Sequence, residues 1–155
     1  MFKATAIACT EEFLRQCRRG AYGYLTCLGF IRGDEKKEIF TQSDIFLLPT
    51  YREGFPNSLI EAMSHGIPVV TTNVGSIPEI VSDKTDGFLV EPGHIDEIAK
   101  SLETLIRDSH LRKAMGEKAR EKVKKNFSTG ILEKQLENVW RSALGQHYET
   151  AYSKL

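Results

Sequence analysis

Glu53 and Glu61 stand eight residues apart in the run Glu53-Gly54-Phe55-Pro56-Asn57-Ser58-Leu59-Ile60-Glu61. The first lies in a glycine-containing loop, the second in the opening turns of an expected helix. Between them fall backbone N–H groups that a starting helix leaves without internal partners. With the positive end of the helix dipole behind them, such groups form an anion site. An ionised carboxylate only accepts hydrogen bonds, and it holds a vicinal diol through two charge-assisted ones. An anion site flanked by two such carboxylates matches a nucleotide sugar, with diphosphate in the middle and hydroxyls at both ends. Spacing alone leaves a plainer use open. Ser58-x-x-Glu61 also fits a capping box, and Asn57 also fits an N-cap. Glu53 gains nothing structural from its position.

The neighbouring residues supply the elements that position this pair. Ile45-Phe46-Leu47-Leu48-Pro49 is a short continuous apolar run, which predicts a buried strand. Thr50 to Phe55 form a strand-to-helix loop, and Pro56 is tolerated at a helix start because its missing N–H costs nothing there. Leu59, Ala62 and Met63 recur at helical spacing, and Gly66-Ile67-Pro68 stops the helix. A ligand held here lies beyond the carboxyl end of a parallel strand, the usual place in open α/β sheets. His65 precedes the terminating glycine, where a hydrogen bond at the helix C-terminus is a sufficient explanation. No role is assigned to His94.

The wider pattern predicts helices at 11–18 and 35–42 and strands at 24–28, 45–49, 69–72 and 88–90. A short helix starts in Gly75-Ser76-Ile77-Pro78-Glu79-Ile80-Val81, and Asp86-Gly87 marks a turn. Strands alternating with helices imply parallel pairing and right-handed crossovers. The fold class is therefore α/β, a Rossmann-like parallel sheet with flanking helices. After Pro92-Gly93 the pattern is helical. Ile95, Ile98, Ala99, Leu102, Leu105 and Ile106 form one apolar face, and Leu111, Met115, Ala119 and Val123 another. A last helix from about 131 to 144 carries Leu132, Leu136, Val139, Trp140 and Ala143.

The run from Asp44 to about Val90 resembles the carboxyl-terminal domain of group 1, or family 4, retaining glycosyltransferases of the GT-B fold. The strand ending in Pro49-Thr50, the Glu-x7-Glu loop and helix, Gly66-Ile67-Pro68-Val69-Val70-Thr71-Thr72, the Gly75 to Val81 run and Asp86-Gly87-Phe88-Leu89-Val90 carry the likeness in order. Weaker similarity reaches back to Leu25 and forward to about Leu144. The resemblance implies that Glu53 is the catalytic-site carboxylate facing the donor sugar, with the N–H groups of Gly54 and Phe55 close to it. It places Asn57, Ser58 and Leu59 against the diphosphate and Glu61 on the ribose hydroxyls. It implies hexosyl transfer from a UDP or GDP sugar to a glycan or lipid-linked acceptor, with retention of configuration. Donor N–H groups and cations stabilise the leaving diphosphate, so neither a cofactor nor a metal is expected.

The same resemblance sets the expected organisation. Residues 1–20 are unplaced, 21–145 form an incomplete nucleotide-sugar-binding domain, and 146–155 form a tail. The family's Arg and Lys after the first strand of this domain have no counterpart here, and Arg32, Lys36 and Lys37 do not inherit their role. The chain is expected to be a partial carboxyl-terminal domain whose partner, the amino-terminal acceptor domain, is missing. Trp140 is expected as an anchor to that missing domain. A non-catalytic nucleotide-binding or interaction module is the alternative function.

Composition excludes other classes. The chain has 155 residues, 41% hydrophobic and 27% charged, the balance of an ordinary globular domain. Twenty-one basic and twenty-one acidic residues cancel, so no global charge favours nucleic acid. From Arg107 to Lys125, eight basic residues face three acidic ones. A solvated helix face is favoured there over peripheral contact with the inner membrane surface, and a cytoplasmic location is expected. Cys9, Cys17 and Cys27 show no Cys-x-x-Cys spacing and are read as free thiols. The apolar stretch before Cys9 is too short for a signal peptide. No Gly-x-Gly-x-x-Gly follows the first strand, which removes a dinucleotide oxidoreductase.

Overall fold

A computed structural model of the chain describes residues 4–6, 28 and 31–144. Strands β1 (Ala4–Ala6), β2 (Ile45–Leu48), β3 (Val69–Thr72) and β4 (Gly87–Val90) form one parallel sheet in the order β1-β2-β3-β4. The helices are α1 (Gly33–Gln42), α2 (Asn57–Ser64), α3 (Ile77–Ile80), α4 (Ile95–Arg107), α5 (Ser109–Asn126) and α6 (Thr129–Leu144). Phe46 is registered with Val69 and Thr72 with Val90, so the carboxyl ends of the three longer strands open on the same side.

β2 and β3 read Ile-Phe-Leu-Leu and Val-Val-Thr-Thr because both faces of the sheet are covered, and a parallel strand then needs apolar groups on both. One core gathers Phe40, Phe46, Leu59, Met63, Ile77 and Ile80. The other gathers Ile45, Val70, Leu105 and Met115. α5 serves both, with Met115 in the second and Ala119 and Val123 in the first.

Two glycines allow close approaches. A Cβ on Gly116 of α5 would lie 2.0 Å from the Gly66 carbonyl oxygen, so α5 can rest on the end of α2 only without a side chain there. Gly66 itself adopts φ +74° and donates to the Met63 carbonyl at 2.9 Å, while Ile67 donates to Ala62 at 3.2 Å. This left-handed cap ends α2 where the sequence predicts.

The turn into β4 is fixed by a buried carboxylate. Asp86, 2% exposed, accepts from the Ser82 N–H at 2.8 Å and pairs with Lys122 of α5 at 3.2 Å. Lys122 also donates to the Ser82 hydroxyl at 2.9 Å. One of the basic residues of α5 is thus structural. Arg112 is another: it donates to the Leu105 carbonyl at 2.7 Å and lies 3.7 Å from Asp44.

Several expectations change. β1 runs beside β2 from a segment left unplaced in the sequence, with Ala4 registered with Ile45. The expected strand 24–28 lies outside the described residues except Leu28, which is in no strand and is half exposed. The expected helix 11–18, the cysteines and the expected tail 146–155 also lie outside them. Gly87 is not a turn residue but the first of β4, and a Cβ there would meet Val69 Cγ2 at 2.5 Å. Ile95, Ala99 and Ile106 leave the apolar face of α4 and are exposed.

Candidate functional site

The loop after β2 is gripped at one end by the last residues of β3 and at the other by the segment that follows β3. The buried Thr72 hydroxyl accepts from the Thr50 N–H at 3.0 Å and donates to the Thr50 carbonyl at 2.6 Å. Thr71 donates to the Leu48 carbonyl at 2.9 Å. Further along, both the N–H (3.4 Å) and the hydroxyl of Ser76 donate to the Gly54 carbonyl. Gly75 adopts φ +54°, and a Cβ there would stand 2.0 Å from the Glu53 carbonyl oxygen. Only glycine lets this backbone lie against Glu53.

These contacts leave an open cleft of about 510 Å³ lined by Tyr51, Arg52, Glu53, Gly54, Val74 and Gly75. Glu53 is half-buried at its wall. The Tyr51 ring is exposed at the same cleft. A carboxylate, a guanidinium, an aromatic face and bare glycine backbone converge, a set suited to a polyhydroxylated ligand.

α2 begins a few residues beyond Gly54. Its N-cap is Pro56, with no side-chain cap hydrogen bond. Neither Asn57 nor Ser58 therefore caps the helix. Asn57 is exposed and Ser58 half-buried. Leu59 contributes differently: its side chain is fully buried and its N–H donates to the Pro56 carbonyl at 3.0 Å. The Phe55 ring is exposed and lies 6.2 Å from that of Phe127, at the end of α5.

Glu61 does not return to the start of its helix. Its Oε2 pairs with Lys36 Nζ of α1 at 2.6 Å, with both side chains partly exposed. The capping box is therefore not formed. His65 closes the other end of α2, its Nδ1 2.9 Å from the Glu61 carbonyl oxygen.

Of the residues singled out in the sequence, Glu53 and Gly54 line the cleft. Asn57 and Ser58 sit at the uncapped helix start, and Glu61 stands a turn further along beside α1. Lys36, Thr72, Gly75 and Ser76 were not singled out for the site, yet they hold its backbone and its second carboxylate. Gly75-Ser76 carried a signal, since a glycine in the loop just beyond a buried strand leaves room for another backbone to approach. Thr72 and Lys36 carried none, because their partners are 22 and 25 residues away.

Sheet, Glu-x7-Glu loop and clamp together define a carboxyl-terminal α/β domain of the GT-B fold. The family model described as glycosyl transferases group 1 matches residues 17–122, and the chain belongs to that family. It is 41% identical over 106 residues to the capsular polysaccharide biosynthesis glycosyltransferase CapM of Staphylococcus aureus, covering 68% of this chain and 28% of that one. The carboxyl-terminal domain of the group 1 protein LpcC from Francisella tularensis superposes with a TM-score of 0.63 at 29% identity, over 75% of this chain and 60% of that one. HepE of Anabaena, solved in complex with UDP and glucose, gives 0.76 at 27% identity over 85% of this chain and 36% of that one. The chain thus spans less than a third of its capsular relative.

Proposed function

We propose that this chain supplies the nucleotide-sugar half-site of a glycosyltransferase that moves a hexosyl group to a glycan or lipid-linked acceptor with retention of configuration. The observation that carries it is the uncapped start of α2 just beyond the Glu53 cleft. Free N–H groups at a helix start favour a diphosphate, and Glu53 and Glu61 suit the hydroxyls on either side. The chain's relation to HepE, a protein that binds UDP and glucose, supports the same ligand class.

In the reaction, the bond from the anomeric carbon to the diphosphate oxygen breaks and its electron pair leaves with the nucleoside diphosphate. The acceptor hydroxyl oxygen forms the new bond and passes its proton to the leaving diphosphate. Charge builds on the leaving oxygen, so preorganised N–H donors contribute most there, without calling on a metal. Glu53 holds the donor sugar by its hydroxyls while that bond lengthens.

Ligand-observed NMR with UDP, GDP and their sugar conjugates tests the half-site. Saturable binding of one nucleotide, weakened roughly ten- to a hundredfold in Glu61→Ala, is expected. A folded chain that binds none of them is instead a non-catalytic module. Retention is tested on the protein joined to its acceptor domain, by the anomeric configuration of the product.

A further inference from the structure

We propose that Lys36 is a positioning residue: its ammonium orients the Glu61 carboxylate so that the free oxygen meets the ribose diol. The inference rests on the nucleotide reading above.

Lys36 and Phe40 are one turn apart on α1, and Glu61 of α2 is one turn before His65, the residue that caps that helix. The two pairs face each other. Lys36 Nζ lies 2.6 Å from Glu61 Oε2 and 5.8 Å from the centroid of the Phe40 ring. That ring, 2% exposed, stacks on His65 at 5.4 Å and 30°, and His65 Nδ1 reaches the Glu61 carbonyl oxygen. Phe40 is fixed by the core, so the Lys36 ammonium stands over a rigid ring.

The pair is poorly placed to stabilise the fold. Lys36 is 29% and Glu61 43% exposed, and such pairs contribute little in water. Its value is geometric. A glutamate has three rotatable bonds, and immobilising it on binding costs affinity unless it is already held. A carboxylate has about four lone-pair sites. Lys36 occupies Oε2 and leaves Oε1 to accept from a diol.

The test is calorimetric titration of the chain with UDP and GDP, and with the 2′,3′-dideoxy form of whichever binds. The variants are Lys36→Met, Lys36→Arg, Glu61→Gln and Lys36→Met with Glu61→Gln. Lys36→Met is expected to weaken the ribonucleotide about three- to fivefold, the scale of a partly exposed ion pair. It should leave the dideoxy form unchanged and add nothing in the Glu61→Gln background, and Lys36→Arg should restore most of the loss. A merely structural lysine would weaken both forms alike. Equal loss with the dideoxy nucleotide, a loss that adds to that of Glu61→Gln, tighter binding by Lys36→Met, or no change at all overturns the inference alone. A wild-type chain that binds neither UDP nor GDP overturns the nucleotide reading, and this inference with it.

Discussion

Glu61 is a partly exposed carboxylate in the second turn of α2, and among the described residues it forms an ion pair with Lys36. Removing it should therefore leave the fold nearly untouched. Glu61→Ala is expected to weaken nucleotide binding by about 1.5–3 kcal/mol, roughly ten- to a hundredfold, the scale of a hydrogen bond to a charged group. Its thermal midpoint should stay close to the wild type, as calorimetry checks. Gly75 is the opposite case. A side chain there collides with the Glu53 carbonyl and strains a left-handed backbone. Gly75→Ala is expected to push the Glu53–Gly54 loop out of place and weaken the same ligand about tenfold or more, the strain being of order 1–3 kcal/mol. Amide shifts of Gly54 and Ser76 would report the displacement directly.

At the scale of elements, α2 connects site and core. Leu59, Ala62 and Met63 are fully buried, and Gly66 receives α5 at Gly116. Gly116→Ala forces a Cβ onto the Gly66 carbonyl, and overpacking of this kind costs about 1–3 kcal/mol. A fall of roughly 3–10 °C in the thermal midpoint is expected for a chain of this size. Nucleotide affinity of the folded fraction should change far less.

Those elements were largely legible in the sequence. β2, β3, α2 and α5 announced themselves through unbroken apolar runs or helical spacing, because each is buried over its whole length or along one stripe. The misses have physical causes. Ile95 and Ile106 fit the stripe of α4, but that helix has 13 residues and the strands beneath have four. A helix of that length spans about 20 Å, and such a strand about 13 Å, so the ends overhang the sheet. Gly87 resembles a turn glycine after an aspartate, yet its bareness serves packing against Val69. β1 is too short and too rich in alanine to carry a period. Within the site, the Glu-x7-Glu spacing was readable. Whether Glu61 capped its own helix or faced outward was not, since that depended on a lysine of another helix.

For the whole molecule, α6 stands apart. Leu132, Leu136, Val139 and Trp140 are all more than half exposed, so Trp140 is not part of the core formed by the described residues. Local stability follows buried apolar contact. Hydrogen exchange is expected to be fastest, among the described helices longer than two turns, over Thr129–Leu144, and slowest over β2, β3 and α2. Uniform protection of α6 with the sheet would contradict this. None of the described helices is long and apolar enough to cross a membrane. Lys113, Lys118, Arg120, Lys124 and Lys125 of α5 are exposed, whereas Arg112 and Lys122 are held in the contacts described above.

The central claim is that the loop after β2 and the start of α2 bind a nucleoside diphosphate. An amide chemical-shift titration of the chain with UDP and GDP tests it most directly. Saturable shifts from one nucleotide, concentrated at Glu53, Gly54, Phe55, Asn57, Ser58, Glu61 and Gly75, are expected. Shifts centred elsewhere on the surface, or none from a chain whose spectrum shows it folded, would contradict the account.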